Sequence, residues 1–353
     1  MKSKRIVYLD IIKIISIFAM MIIHVAASQI HNVQEGSYEW NTFAIYQCLT
    51  HFCVPIFFMC SGIFFLQPER KIKIARLYKH NIVRMISALL FWGILYAGYA
   101  FYCCKKDLGM NVRESLSKVY NDEFTYGHYH LWFLYAIIGV YIIVPLLRKI
   151  AEDKKMIEYF LIVAFVFCFC RNMYPIIPFV GYKIETVLER VDLNFVVGYP
   201  SYFLLGYYLH TYELGKMYKK ILYVLGGISV GIMIIGTVVV WAHNPQKNEF
   251  MYGFLLPMQL FYSSALFIFG VDKFSKIKFK ETTETRIVHL SGLTFGMYLV
   301  HDFFIMFLEK IGFTTLSFMP IVSVVVISAV VFVLSYVVVF VINKIPVLRN
   351  YII

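Results

Sequence analysis

A train of apolar runs, each close to the length of a membrane span, constrains this chain more than any other feature. The runs fall at about 6–28, 41–66, 81–103, 131–147, 156–171, 193–212, 219–241, 252–270, 287–308 and 319–343. A spanning helix needs about 20 mainly apolar residues. No strand alternation accompanies the runs, and only helices or closed barrels satisfy the backbone inside hydrocarbon. The expected fold is therefore an all-α integral membrane bundle of ten transmembrane helices, read as one transmembrane domain over 1–353. Composition agrees: 60% of residues are hydrophobic and 15% charged. Soluble domains are nearer half apolar and a quarter charged, so an ordinary cytosolic enzyme is excluded.

The net charge of +12 would suggest a nucleic-acid partner if its distribution were ignored. Dividing the 33 Lys and Arg between the two sides of a ten-span topology places 22 on the side of the termini and 9 on the other. Lys13 and Arg84 fall inside spans. Cytoplasmic loops carry the excess of Lys and Arg, so both termini are expected in the cytoplasm. The cations then account for topology and require no nucleic acid.

The first run has some look of a signal peptide, because Lys2–Arg5 precede an apolar stretch ending in Val25-Ala26-Ala27-Ser28. Asp10 and Lys13 interrupt that stretch, which favours a retained span. The seven cysteines show no metal-ligand spacing, and five of them sit in apolar runs, where a small buried thiol is the plain reading. A disulfide between Cys103 or Cys104 and Cys168 or Cys170 is conceivable, since all four lie near outer span ends. The outer loop at 104–130 closes on a polar aromatic cluster that includes Tyr126, Tyr129 and His130. The tyrosines there read as an interfacial belt.

Ionisable groups inside spans are costly, and each is a functional candidate by default. The first span carries Asp10, Lys13 and His24. Lys13 and His24 are 11 residues apart, close to three helical turns, so they share one face with about 16 Å between them along the axis. Asp10 precedes Lys13 by three residues and can meet it on that side. His24 is read as functional, because imidazole is the side chain suited to proton transfer near neutral pH. In the second span, Pro55 and Ser61-Gly62 read as a kink and a close helix contact. Arg84 enters the third span behind Lys71, Lys73, Arg76 and Lys79, a cluster that suits a phosphate-bearing ligand or anionic lipid. Arg84, the deepest of them, is the better ligand candidate. His130 and Trp132 open the fourth span, and Tyr298 and His301 lie three apart on the ninth. No Walker, HExxH or GxSxG pattern is present, and no metal site is expected.

These segments together resemble the acyltransferase 3 family, bacterial multi-pass proteins that move acyl groups, mostly acetyl, onto extracytoplasmic targets. Tyr8-Leu9-Asp10-Ile11-Ile12-Lys13 through His24 is similar to that family's first-helix Arg/Lys-x10-His signature. The stretch from Val54 to Gly62 resembles its VPxFFxxSG pattern, and His130-Leu131-Trp132-Phe133-Leu134 its HLWFL segment. Tyr202-Phe203-Leu204-Leu205-Gly206-Tyr207 and Gly296-Met297-Tyr298-Leu299-Val300-His301 resemble two more. The order and spacing of these mostly apolar patterns are more specific than any one of them.

The resemblance implies a ten-helix core, acetyl-CoA as the donor reaching the protein from the cytoplasm, and His24 as the essential catalytic residue. It makes Lys13 the basic partner and sets Arg84, with Lys79 nearby, against the CoA phosphates. Asp10, Ser61, His130, Trp132, Tyr298 and His301 become supporting residues. Two departures stand out: Lys13 where Arg is commoner, and Asn81 where many members carry a second Arg. The expectation that follows is an O-acetyltransferase of the bacterial plasma membrane acting on a hydroxyl of an envelope sugar, polysaccharide precursor or glycolipid, with His24 either the general base or a transient carrier of the acetyl group. Two rivals are weighed against it, a transporter or exporter of such a precursor or a small solute, and a structural partner in an envelope assembly. Inverted-repeat symmetry would favour transport, but the midspan charges cluster in the first third of the chain.

Overall fold

The computed structural model describes residues 6–70, 72–124, 127–176, 186–187, 190, 198–243 and 250–353. Lys2, Lys4, Arg5, Lys71, Tyr126, Lys183 and Lys247 lie outside them. The regular elements are α1 Val7–Ala27, α2 Tyr38–Thr50, α3 Cys53–Leu66, α4 Val83–Lys106, α5 Val112–Val119, α6 Trp132–Ala151 and α7 Lys154–Ala164. They continue with α8 Tyr199–Thr211, α9 Lys216–His243, α10 Pro257–Phe274, α11 Glu281–Lys310, α12 Pro320–Ile342 and α13 Pro346–Tyr351. Among the described residues there is no strand.

Nine helical segments among the described residues are long and apolar enough to cross a membrane. They correspond to nine of the ten runs expected from sequence. The short run at 156–171 is completed by a π-helical turn, Phe165–Cys170, and spans Lys154–Met173. The remaining run, 193–212, begins outside the described residues. Its described part is the 13-residue α8, which is largely buried. Rows of exposed large apolar side chains, such as Leu90 and Ile94 on α4, Ile228, Ile232 and Ile235 on α9, and Val322, Val326 and Val333 on α12, require hydrocarbon rather than water around them.

The chain divides into two compact units, Met1–Pro68 with Leu147–Val337, and Glu69–Leu146 with Val338–Ile353. In the larger unit, α1 and α11 lie side by side and run in the same direction. Three contacts in matching order establish this: Ser291 with Asp10, His301 with His24, and Glu309 with Gln29.

The second span is two helices. Pro55 has no N–H to give the carbonyl of His51, four residues earlier, so the helical ladder is interrupted at 51–52 before α3 begins. His51 itself donates from Nδ1 to the Gln47 carbonyl at 2.7 Å and stacks against Phe254 at 5.0 Å.

Beyond that kink, α3 packs directly on α8. A Cβ at Gly62 would collide with the backbone of Phe203, and one at Gly206 with the backbone of Met59. Each glycine thus admits the other helix's main chain.

In the smaller unit a π-helical turn, Leu77–Ile82, feeds α4. The connection at 104–130, expected as loop, contains α5, whose start is a reciprocal cap. The Asn111 side chain accepts from the Glu114 N–H at 2.9 Å, and the Glu114 carboxylate accepts from the Asn111 N–H at 3.1 Å. Tyr96 stacks on His128 with 4.1 Å between ring centroids and meets His130 edge-on at 5.0 Å. All seven cysteines are free thiols, so none of the conceivable disulfide pairings is formed.

Candidate active site

No Gly or Pro interrupts Val7–Ala27, and α1 forms one unbroken helix carrying all three expected residues. Its geometry sets Lys13 and His24 on one face about three turns apart. Asp10 is 2% exposed, and its carboxylate accepts a hydrogen bond from Ser291 Oγ at 2.6 Å. The Lys13 ammonium lies over the Phe64 ring, 4.3 Å from its centroid, so a cation at this depth is held against an aromatic face of α3. Just before them, the Tyr8 hydroxyl bonds to His210 Nδ1 of α8 at 2.5 Å.

At the other end of this face, the half-buried His24 ring meets His301 of α11, with centroids 4.9 Å apart and planes inclined at 38°. His301 is fully buried. Its Nδ1 donates to the Tyr298 carbonyl at 2.6 Å. A carbonyl can only accept, so Nδ1 carries the proton and the neutral ring has its lone pair on Nε2. The helix therefore fixes both the orientation and the tautomer of the imidazole beside His24. Tyr298 is also buried, with its ring 6.3 Å from that of His301.

Of the sequence-predicted residues, the structure brings His24, His301 and Tyr298 together at one station along α1 and α11. Asp10 and Lys13 occupy another, about 16 to 21 Å away along α1. Ser61 is half-buried on α3 beside Gly62, at the contact with α8. Arg84, Lys79, His130 and Trp132 belong to the smaller unit. There Arg84 Nη2 donates to the Ile353 carbonyl at 2.5 Å, and Trp92 Nε1 to the Ile352 carbonyl at 3.0 Å. Lys79 is exposed on the π-helical turn. His130 is buried in the aromatic group with Tyr96 and His128.

Three residues of the larger unit escaped notice in the sequence. Ser291 has no distinguishing local signal, because only the fold sets it against Asp10. Ser16 is fully buried on α1, and its hydroxyl has no hydrogen-bond partner among the described residues. Asp302, 2% exposed beside His301, did carry a signal, since an acid inside an apolar run is itself a functional flag.

The model of a known family decides what this arrangement belongs to: one for an acyltransferase domain, acyltransferase 3, matches residues 6–340, nearly the whole chain. The chain belongs to the acyltransferase 3 family. No curated protein and no solved structure matches it significantly. As a member of the acyltransferase 3 family with this helical architecture, it is a multi-pass membrane acyltransferase. The motif positions of the acyltransferase 3 resemblance also acquire physical roles. The VPxFFxxSG-like and YFLLGY-like segments hold α3 against α8. The first-helix signature and the Gly296–His301 segment supply the two histidines that meet.

Proposed function

We propose that this acyltransferase moves an acetyl group from acetyl-CoA to a hydroxyl of an extracytoplasmic sugar, polysaccharide precursor or glycolipid of the bacterial cell envelope. The observation that carries the reading is the meeting of His24 and His301, one ring fixed in its tautomer beside another on a face that also bears Lys13. In this scheme the donor approaches from the cytoplasm, the side to which most Lys and Arg map. Lys13 attracts the anionic donor, and its pantetheine arm extends along α1 toward His24.

His24 acts as general base. It takes the proton of the acceptor hydroxyl as the oxygen attacks the thioester carbonyl. The C–S bond then breaks, and the proton passes from His24 to the departing CoA sulfur. The products are an acetyl ester and free CoA, with no oxidant, reductant or metal consumed. His301 is a positioning residue that holds the His24 ring.

Acetyl-CoA carrying a labelled acetyl group, supplied to the cytoplasmic face of membrane vesicles, tests this. Label should enter envelope glycan and be released by mild alkali, as an ester is. Label that stays in acetyl-CoA, or an alkali-stable product, contradicts the proposal. The same preparation separates it from a transporter of a neutral solute. Acetyl-CoA at about a hundred times its Kd should stabilise a true acyltransferase by about 2.7 kcal/mol. It should leave such a transporter unchanged.

A further inference from the structure

A second cleft lies elsewhere on the larger unit, between the first turns of α11 and the last turns of α12. It has a volume of about 470 Å³ and is lined by Thr285, Arg286, His289, Leu290, Phe332, Val333 and Tyr336. That volume lies within the range of roughly 300–1,000 Å³ typical of small-molecule sites. Its α11 residues occupy a different face from Ser291, Thr294 and Tyr298. Thr285, Arg286 and His289 are exposed, whereas Ser291, Thr294 and Tyr298 are buried. The cleft therefore faces away from α1 and from the proposed acyl-transfer site.

Its chemistry is graded along the membrane normal. Arg286 and Thr285 lie within about two turns of the start of α11, and Tyr336 within about two turns of the end of α12, where headgroups and interfacial tyrosines sit. Leu290, Phe332 and Val333 line the deeper part. Among the described residues no carboxylate lines the cleft, so Arg286 faces no fixed negative charge from them within it. From Val333 an exposed apolar stripe continues down α12 through Val326, Val325 and Val322. It extends about 16 Å, a length suited to an acyl chain.

The geometry points to a bound anionic phospholipid. Its phosphodiester is held by Arg286, its glycerol lies in the cleft beside Tyr336, and one acyl chain runs along the valine stripe. A planar guanidinium suits a phosphate oxygen pair. The absence of a lining carboxylate disfavours a choline or ethanolamine headgroup, whose ammonium would have no counter-charge.

Native mass spectrometry of the full-length protein in detergent tests the site, with phosphatidylglycerol and phosphatidylcholine offered in equal amounts. The wild-type protein should retain phosphatidylglycerol preferentially. Arg286→Gln should weaken that retention about tenfold, the scale of one lost charge-assisted hydrogen bond. Val333→Trp, which fills the cleft without touching the charge, should also displace the lipid. Both substitutions are at exposed positions, and an unchanged melting temperature marks each variant as folded. Equal retention of the two lipids by the wild type, or full retention of phosphatidylglycerol by either folded variant, overturns the proposal. Displacement of the lipid by excess inorganic phosphate also overturns it, in favour of a free-anion site.

Discussion

Replacing His24 with Gln should lower acetyl transfer by about 10²- to 10⁴-fold, the contribution of a positioned general base, while the protein remains folded. The ring is half-buried beside the imidazole of His301. Glutamine retains much of the volume and some hydrogen-bonding capacity, but it cannot take a proton near neutral pH. The rate of label transfer from acetyl-CoA, read beside the melting temperature of the solubilised protein, separates the two effects. Comparable transfer by the folded variant would remove His24 from the chemistry.

The largest structural effect should come from adding a side chain where α3 and α8 touch. Gly206→Leu must push the backbone of Met59 away, and Gly62→Leu that of Phe203. Main chain cannot swing aside as a flexible side chain does, so relief requires the helices to separate. The cost should reach or exceed the ~1–3 kcal/mol typical of overpacking, seen as a large loss of folded, monodisperse protein. Gly227→Ala provides the control, since nothing stands within 4 Å of a Cβ added there and the position is exposed on α9. It should be neutral or raise stability by up to about 1 kcal/mol through better helix propensity. Equal tolerance of both kinds of substitution would mean that the α3–α8 approach is not as close as described.

These two sites differ in how far the sequence alone reveals them. The face from Lys13 to His24 was legible because a helix converts spacing into direction, and α1 has no breaker. The nine described spans were legible because hydrocarbon leaves the backbone little choice. The partner of His24 was not, because His301 lies in another helix far along the chain and no local rule pairs two helices. The same holds for Ser291 with Asp10. Gly62 and Gly206 were each recognisable as small residues in a span, yet their reciprocal fit depends on two backbones meeting. Arg84 declared itself as a charge in an apolar run, but its bond to the Ile353 backbone oxygen could not be foreseen, because no local rule brings residues 84 and 353 together. The capping pair of α5 was readable from Asn111 and Glu114. It passed for loop because the segment is short and polar.

The central claim is that His24 and His301 act as one unit in acyl transfer. A double-substitution cycle tests it most directly, with acetyl transfer measured for His24→Gln, His301→Gln and the combined variant. Glutamine at 301 retains an N–H able to reach the Tyr298 carbonyl, so the helix need not lose that bond. If His301 acts through His24, its substitution should slow the wild-type enzyme but add little once His24 is gone, because groups that act together are not additive. Losses that multiply in the combined variant would show two independent roles and contradict the account.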